Sequence, residues 1–413
     1  RQHTLRQGRG VRALMLRVMS YTAALAAVEK KFSAMLVAEK RDVDKAAGMI
    51  CAADVLSAET VPAFDRSTVD GYAVACADTN AASAASPAVF GLVGEIGMGE
   101  CADMTVGGGM CAYVPTGGML PAGADAVAMI EDCERRGDEI LLSTPLRHLE
   151  NVACRGEDIS EGEVILRRGD TLDACKTGAL CAAGVTSVEV YRKPSFYVVS
   201  TGDELVAYDQ PCPLGKVRDV NTELISVATS RWSLAGRERV PDDEEALSGA
   251  IGRGLDCADI VVVSGGSSVG IADLTERIFA RYGEVFMHGV AMKPGKPTLA
   301  ASSRGKLLVG LPGHPMAAFT SFKLIFERAY LAATGAERGN FLFARASVNF
   351  AGGRGRACVM PVKLSVEDGE VSARPLFYKS GMISVLASCD GFAVLPENAE
   401  GAYKGERLEI YGL

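Results

Sequence analysis

The segment DIVVVSGGSSVG, from Asp259 to Gly270, decides the fold of this chain. A run of apolar, mostly β-branched residues, typical of a buried strand, leads directly into a loop of glycine and serine. Three similar units lie nearby in the sequence: FYVVS (196–200) leads into the loop STGDEL (200–205), GVAM (289–292) into KPGKP (293–297), and KLLVG (306–310) into LPGHP (311–315). Open α/β sheets bind ligands beyond the carboxyl ends of their strands, so these loops predict one shared ligand crevice.

Helical patterns separate the strand-like runs. We expect a helix after Asn221, with Asn221 as its N-cap, and further helices over 244–251, from about 272 to 282, and over 316–333. Strands are expected at 196–200, 237–240, 259–264, 285–292, 298–301 and 306–310. Strands that alternate with helices form βαβ units, so this region predicts a three-layer α/β domain with a mainly parallel sheet.

The flanking regions differ in character. The sequence TAALAAVEKKFSAMLV has helical spacing, whereas 58–145 is rich in Gly, Ala and Ser with short β-like runs, and the chain after 344 is again β-like. We predict a small β-rich domain and a C-terminal β-barrel-like domain around the α/β domain. The predicted boundaries are 18–57 with 146–192 for an extended, discontinuous linker and dimerisation region, 58–145 for the β-rich domain, 193–335 for the α/β domain and 336–413 for the C-terminal β domain.

Composition narrows the functional classes. The 413 residues carry a net charge of −8, which argues against nonspecific nucleic-acid binding, and no apolar run reaches the roughly 18 residues of a membrane span. The 12 cysteines form no C-x-x-C pair, so we expect no Cys/His metal site and favour buried thiols in a reducing cytoplasm over disulfides. The Arg-rich residues 1–17 fit either a transit peptide or an upstream extension.

A family resemblance connects the loops to further motifs. The stretch from Pro62 to Val74, PAFDRSTVDGYAV, resembles the signature of molybdopterin molybdenumtransferases, the molybdenum insertases that include the enzymatic domain of gephyrin. The resemblance continues in order through the chain: PTGG (115–118), LPAGADAV (120–127), GEDI (156–159), STGDEL, DVN (219–221), SGG (264–266), KPGKP, LPGHP and SGM (380–382).

The resemblance implies a reaction and an assembly. Adenylylated molybdopterin and molybdate would be converted to molybdenum cofactor with release of AMP, in the presence of Mg²⁺. The family is dimeric, and its active site combines the α/β domain of one subunit with the β-rich domain of the other. Asp70 and Thr116 would therefore act across the interface. We expect a cytoplasmic homodimer that acts on small molecules and has no nucleic-acid or membrane partner, with a molybdopterin adenylyltransferase as the candidate protein partner.

Specific residues follow from this match. The expected catalytic residues are Asp70, Thr116, Glu204, Asp242, Asp273, Lys293 and Lys296, and the expected Mg²⁺ ligands among them are Glu204, Asp242 and Asp273. The expected ligand-binding residues are Ser264, Gly265, Gly266, Ser268, Gly270, Pro294, Gly295, Pro312, Gly313 and Pro315. Carboxylates are hard oxygen donors that suit Mg²⁺, and lysines neutralise phosphate oxygens. Each has an alternative: Glu204 as helix N-terminal charge, Asp242 or Asp273 as a helix cap, and the lysines as solvated loop residues.

The sequence also departs from the family pattern. His314 stands where Asn is usual, Ser267 where Val is common, and Ala153 where Arg is frequent. Two other functions compete with the transferase. A molybdopterin adenylyltransferase shares the α/β domain and the SGG-type loop but lacks the flanking β domains, and a gephyrin-like scaffold would need no catalytic acids or lysines. Both competitors therefore explain less of the sequence.

Overall fold

The computed structural model describes residues 18–265, 269–336, 341–367, 369–379 and 381–412. At its centre is a sheet of six strands: β1 (Ser195–Thr201), β2 (Ser233–Val240), β3 (Ile260–Gly265), β4 (Glu284–His288), β5 (Leu299–Ser303) and β6 (Lys306–Pro312). The strand order is β2-β1-β3-β6-β5-β4. The first four are parallel to each other, and β5 pairs antiparallel with both β6 and β4. The predicted mainly parallel sheet is confirmed.

Helices cover both faces of this sheet. Alternate residues of β3 point to opposite faces because side chains in a strand alternate. Val261 and Val263 pack with one pair of helices, Glu244–Cys257 and Val269–Tyr282. Ile260 and Val262 pack on the other face, where a long helical stretch meets the N-terminal helix. That face is covered by Tyr21–Met35, Asn221–Ser226, Pro315–Ser321, the π-helical Phe322–Glu327 and Arg328–Thr334. The three-layer α/β architecture is thus confirmed.

Several helices and strands begin or end at other residues than the sequence predicted. The helix in TAALAAVEKKFSAMLV ends at Met35, and the chain then forms the strand Ala38–Asp42. The helix expected from about 272 begins at Val269, and the helix expected over 244–251 continues to Cys257. The strand expected over 285–292 ends at His288, because Met292–Lys293 pairs with the C-terminal domain instead of the central sheet. The end of this strand depends on its pairing partner, which sequence patterns do not contain.

The β-rich domain is a six-stranded sheet. In spatial order its strands are Ala126–Met129, Gly71–Val74, Met110–Val114, Ala88–Glu95, Glu139–Leu142 and Cys133–Arg136. Tyr72, Phe90 and Ile140 fill its core. Short 3-10 turns at Val43–Lys45, Cys76–Thr79 and Ile130–Asp132 connect elements in this half of the chain.

The linker region joins two distant segments of chain. Three small sheets pair residues before 68 with residues after 151: Ala38–Asp42 and Ile50–Cys51 with Ser187–Tyr191, Val55–Leu56 with Val164–Leu166, and Arg66–Ser67 with Val152–Ala153. The helix Ala174–Ala182 follows, and the side chain of Asp173 caps its first turn. These pairings confirm the extended, discontinuous architecture of the region, while the individual domain boundaries stay a prediction.

The C-terminal region contains a closed barrel. Its five strands are Phe341–Ala346, Ala357–Glu367, Glu370–Pro375, Gly391–Leu395 and Arg407–Gly412, and the pairing of Ala357–Glu367 with Gly391–Leu395 closes the ring. Shorter pairs, Phe350–Ala351 with Gly401–Ala402 and Leu205–Val206 with Val217–Arg218, and the helix Ser384–Ser388 complete the described elements. The predicted barrel-like domain is confirmed.

The cysteines depart from expectation. All twelve are free thiols, but only Cys51, Cys111, Cys358 and Cys389 are buried. Burial raises the pKa of Cys111 to about 12 and that of Cys51 to about 11, so these thiols stay protonated and inert at neutral pH. The expectation of buried thiols is therefore wrong for the other eight. None of the helices in the described segments is long and apolar enough to cross a membrane.

Candidate active site at the carboxyl edge of the sheet

Four parallel strands end in one row. Strand register aligns Val240, Thr201, Gly265 and Pro312, the last residues of β2, β1, β3 and β6. The STGDEL, SGG and LPGHP loops therefore begin at the same edge of the sheet, as the sequence predicted. The KPGKP loop arrives differently: it follows Met292–Lys293, which pairs with Ala357 and Cys358 of the barrel.

A cavity of about 440 Å³ opens at this edge. It lies between the α/β domain and the C-terminal region, since Gly381 and Ile383 contribute to its wall. Its size suits a small-molecule ligand. Lining residues include the predicted Glu204, Ser264, Gly265, Gly313 and Pro315, together with His314 and the unpredicted Ser200, Thr201, Arg218, Asp219 and Asn221.

Asn221 connects two of the loops. Its Nδ2 donates to Ser264 Oγ and to the Gly313 carbonyl, each at 2.8 Å. Its Oδ1 is buried and accepts no hydrogen bond within the described part of the chain. The expected N-cap role is wrong, because Val220 occupies the cap position and the Asn221 side chain points to neighbouring loops. A buried acceptor without a donor is costly, so Oδ1 is a candidate to accept a ligand N–H or O–H.

A buried carboxylate stands next to it. Asp219, only 6% exposed, accepts hydrogen bonds from Ser200 Oγ at 3.0 Å, from the Thr222 amide at 3.1 Å and from Thr222 Oγ1 at 2.7 Å. Sequence reasoning quoted Asp219 within the DVN motif but assigned it no role. The signal available was its position directly before Asn221, and only the fold brings it to the wall of the cavity.

The structure separates Asp242 from its capping neighbour. Asp243 accepts from the Ala246 amide and caps the helix Glu244–Cys257. Asp242 instead accepts from Thr201 Oγ1 at 2.7 Å, and its own amide donates to Asp203 Oδ1. The capping alternative for Asp242 is therefore removed.

Glu204 and Asp273 are free of capping roles too. Glu204 lies in the turn after β1, before the strand Leu205–Val206, and Asp273 lies in the second turn of its helix. Both are exposed. Their carboxylates accept no hydrogen bond from residues that the structure describes. The ligand oxygens of Glu204, Asp242 and Asp273 do not all three lie within 4.8 Å of one another, since the one such group among the described residues lies elsewhere.

Hydrogen bonds from the residue that follows it fix the KPGKP loop, residues 293–297. Thr298 Oγ1 donates to the Gly295 carbonyl at 2.6 Å and hydrogen-bonds Ser321 Oγ at 2.9 Å. Gly295 has a φ of +114°, and a Cβ there would lie 2.5 Å from the Met292 and Ser321 side chains. Only glycine fits this position. Lys293 and Lys296 are exposed and form no ion pair with the described acids. Pro294 lies between Lys293 and this fixed glycine.

Asp70 and Thr116 contact each other in the β-rich domain. Asp70 Oδ1 accepts from the Thr116 amide at 2.7 Å and from Thr116 Oγ1 at 3.1 Å. Both residues are exposed, and neither lines the 440 Å³ cavity of the same chain.

The remaining predicted residues divide into two groups. Pro312 ends β6, and Pro315 is the first residue of its helix, where proline is favoured. His314 occupies the cap of that helix without a side-chain capping bond and is exposed. Gly270 is the second residue of the helix Val269–Tyr282. Gly266 and Ser268, with Ser267 and Ser380, lie outside the described residues, and Ala153 is a buried strand residue paired with Arg66.

Comparison with known proteins agrees with this architecture. Family models described as the MoeA N-terminal region (domain I and II), a probable molybdopterin binding domain and the MoeA C-terminal region (domain IV) match residues 19–184, 197–332 and 344–413. A putative molybdopterin biosynthesis protein of Methanocaldococcus jannaschii is 30% identical over 96% of this chain and 99% of its own length. The chain belongs to the MoeA family. This confirms the predicted family and, with it, an enzyme of molybdenum cofactor biosynthesis.

Other MoeA proteins support the assignment. A molybdopterin molybdenumtransferase of Staphylococcus epidermidis is 28% identical over 89% of this chain and 90% of its own. The crystal structure of the molybdopterin biosynthesis MoeA protein from Pyrococcus horikoshii is 36% identical, covers 96% of this chain and 99% of its own, and superposes with a TM-score of 0.78. The likeness therefore extends through all regions of the MoeA fold.

Proposed function

We propose that this protein inserts molybdenum from molybdate into adenylylated molybdopterin and releases AMP. The observation that carries the proposal is the row of strand ends: it gathers the STGDEL, SGG and LPGHP loops around one cavity whose wall holds buried Asp219 and Asn221. A ligand with a polar ring and a pyrophosphate needs buried hydrogen-bonding groups for the ring and accessible charge for the phosphates. The loops at this edge offer both.

Charge neutralisation is the main chemical requirement. Cleavage of a phosphate–phosphate link depends more on positioning and electrostatics than on covalent catalysis. We assign Lys293 and Lys296 to phosphate or molybdate oxygens, because both are exposed, unpaired among the described residues, and fixed by Gly295. At about 4 Å, an ammonium group gains roughly 4 kcal/mol from an anionic oxygen at an effective dielectric of 20, so these two charges outweigh the distant net charge of the chain.

The donor set fits Mg²⁺. Glu204, Asp242 and Asp273 supply hard oxygen atoms, and the carboxylates of Glu204 and Asp273 are free of hydrogen bonds within the described chain. We assign these residues to hold the ion. When bound, Mg²⁺ would neutralise phosphate charge in the transition state. The hydrogen bond from Thr201, the last residue of β1, meanwhile orients Asp242, which lies two residues after the end of β2.

Two subunits would share each site. Asp70 and Thr116 form an exposed pair that is absent from the cavity of their own chain, and we propose that they reach the cavity of a second copy. A mixture of Asp70→Asn and Asp273→Asn subunits tests this. Random mixing gives half heterodimers with one intact site each, so about a quarter of wild-type activity should return. Mixing Asp273→Asn with Glu204→Gln should restore none, because both residues belong to the same side of the site.

The cellular setting follows from the chemistry. The substrate must come from an enzyme that adenylylates molybdopterin, so a molybdopterin adenylyltransferase is the expected supplier and a possible partner. We propose a cytoplasmic location, in keeping with free thiols.

AMP release provides the decisive assay. Purified protein, adenylylated molybdopterin, molybdate and Mg²⁺ should yield AMP only when molybdate is present. Glu204→Gln and Asp273→Asn should abolish AMP release, whereas Glu245→Gln, an exposed glutamate in a helix first turn, should leave it unchanged. Molybdate-independent AMP release, or no release from a folded wild-type dimer, contradicts the proposal. Adenylylation of molybdopterin from ATP would favour the adenylyltransferase alternative, and inactivity in both assays a scaffold.

A further inference from the structure

A second group of ligand-type side chains lies where the β-rich domain meets the linker segment that follows it. Cys76, Asp125 and His148 bring a sulfur, a carboxylate oxygen and a ring nitrogen within 4.8 Å of one another. It is the one group of this kind in the described ranges of the chain. The sequence does not reveal this group, because the three residues are far apart and follow no C-x-x-C pattern, and the expectation of no Cys/His metal site considered only sequence neighbours.

We propose that Cys76, Asp125 and His148 form a binding site for one thiophilic divalent metal ion of the Zn²⁺ class. Asp125 Oδ2 lies 3.4 Å from Cys76 Sγ and 3.0 Å from His148 Nδ1. In a tetrahedral zinc site with bonds of about 2.0–2.3 Å, ligand atoms are separated by about 3.3–3.7 Å. Small side-chain adjustments therefore suffice to place an ion between all three atoms.

The backbone orients each ligand. Asp125 precedes the strand Ala126–Met129, Cys76 follows the paired strand Gly71–Val74, and the Asp125 amide donates to the Val74 carbonyl. The Cys76 amide donates to Asp125 Oδ1 at 2.6 Å, which leaves Oδ2 facing the sulfur and the imidazole. Hydrogen bonds of this type fix ligand orientation around metals.

The segment that carries His148 is also fixed. The Leu149 amide donates to the Asp125 carbonyl at 2.9 Å, and Asn151 Nδ2 donates to the Val127 carbonyl at 2.9 Å. Leu149 has a φ of 61°, a left-handed conformation that leucine rarely adopts. The tertiary contacts hold this conformation and keep His148 above Asp125.

Access and ligand number match an open zinc site. The His148 side chain is 67% exposed and that of Asp125 is 36% exposed, so an ion can enter and keep a water as its fourth ligand. A nucleophilic cysteine fits less well. Such a residue needs a histidine at its sulfur, whereas here the histidine ring nitrogen hydrogen-bonds Asp125.

Co²⁺ gives a direct readout, because thiolate ligation produces a charge-transfer band in the near ultraviolet. Full-length protein stripped of metal should bind one equivalent of Co²⁺ with this band, and Zn²⁺ should displace it. Cys76→Ser should lose the band, and Cys76→Ser and His148→Ala should each weaken Zn²⁺ affinity by about tenfold or more. Cys101→Ser, an exposed cysteine in the same domain, should match wild type.

Three results would overturn the proposal. They are no Co²⁺ binding by wild type, a band that persists in Cys76→Ser, and Zn²⁺ affinity unchanged in both variants. If Cys76→Ser fails to fold, exposed His148→Ala still provides the affinity test. The assay measures metal alone, so its outcome is independent of the proposed transferase activity.

Discussion

Replacing Asn221 by alanine removes the only side chain observed to bridge the SGG and LPGHP loops within the described residues. The wild-type amide donates to Ser264 Oγ and the Gly313 carbonyl at 2.8 Å each, and the residue is 7% exposed. Alanine leaves both acceptors without that donor in a buried position. The variant therefore tests whether the loop geometry at the cavity depends on one buried amide.

The expected magnitudes follow from the bonds lost. A buried hydrogen bond contributes about 1 kcal/mol net, and an acceptor left unsatisfied costs about 1–3 kcal/mol, so Asn221→Ala should lower the free energy of unfolding by about 2–4 kcal/mol. Loss of Oδ1 as a ligand acceptor should add a separate effect. We expect adenylylated molybdopterin to bind about 5- to 30-fold more weakly, equivalent to about 1–2 kcal/mol.

Urea unfolding and isothermal titration calorimetry measure the two effects separately. Asn80→Ala is the matched control, because Asn80 is exposed and its side chain makes no hydrogen bond to a described residue. It should change neither quantity. An unchanged urea midpoint in Asn221→Ala would refute the bridging role. Reduced stability with wild-type affinity would refute the assignment of Oδ1 to the ligand.

Three other variants test charge, pH and backbone conformation. Lys296→Ala should weaken ligand binding more at low than at high salt, since salt screens a charge interaction, and a salt-independent loss in calorimetry would contradict this role. Asp259 accepts a two-pronged interaction from Arg192 at 2.9 and 3.0 Å; burial raises the Asp259 pKa, but this interaction and bonds from the neighbouring Ser195 outweigh burial and leave the pKa lowered. Because the folded pKa lies below the unfolded one, this stabilisation is complete above about pH 4 and is lost as pH falls through the folded pKa. Asp259→Asn should therefore lower the free energy of unfolding in urea by about 1–2 kcal/mol at pH 7 and by nearly nothing in strong acid. A loss of stability that does not depend on pH would contradict this. Gly295→Ala should destabilise the protein by about 1–3 kcal/mol and weaken ligand binding, whereas Gly178→Ala, in an open helical position, should not lower the thermal midpoint.

Sequence patterns predicted the central sheet because its determinants are local. Three of the four apolar runs lead into loops within βαβ connections, which force parallel strands, so Thr201, Gly265 and Pro312 had to meet at one edge. The fourth run, GVAM, leads instead to a strand that pairs with the barrel. Asn221 shows where local rules fail. Its position after a loop matches an N-cap, yet bonds to two other loops override that preference, and no pattern around residue 221 contains those partners.

Contacts between distant residues were the least predictable part. Residues 76, 125 and 148 meet because Asp125 lies at the end of a strand paired with Gly71–Val74, and because Leu149 adopts an unusual backbone conformation. Strand register and the left-handed backbone conformation of Leu149 both depend on tertiary contacts, which the local sequence does not contain. The contact between Asp70 and Thr116 was not predicted. The functional roles expected of both residues came only from the family resemblance, since a hairpin turn alone explains the Asp70 sequence better.

At the carboxyl edge of the central sheet some polar groups are buried and others are exposed, and electrostatics accounts for the difference. Asp219 and Asn221 are buried and engage in hydrogen bonds, so they form a rigid framework that fixes the cavity. Glu204 and Lys296 are exposed in loops, Lys293 is exposed at the end of a short strand, and Asp273 is exposed in the second turn of its helix. Two carboxylates about 5 Å apart repel by roughly 3 kcal/mol at an effective dielectric of 20, so acids cannot gather without a cation between them. Exposure keeps these charged groups solvated when no ligand is bound. We therefore expect the buried framework to supply the shape of the site and the exposed groups to supply charge for a charged ligand.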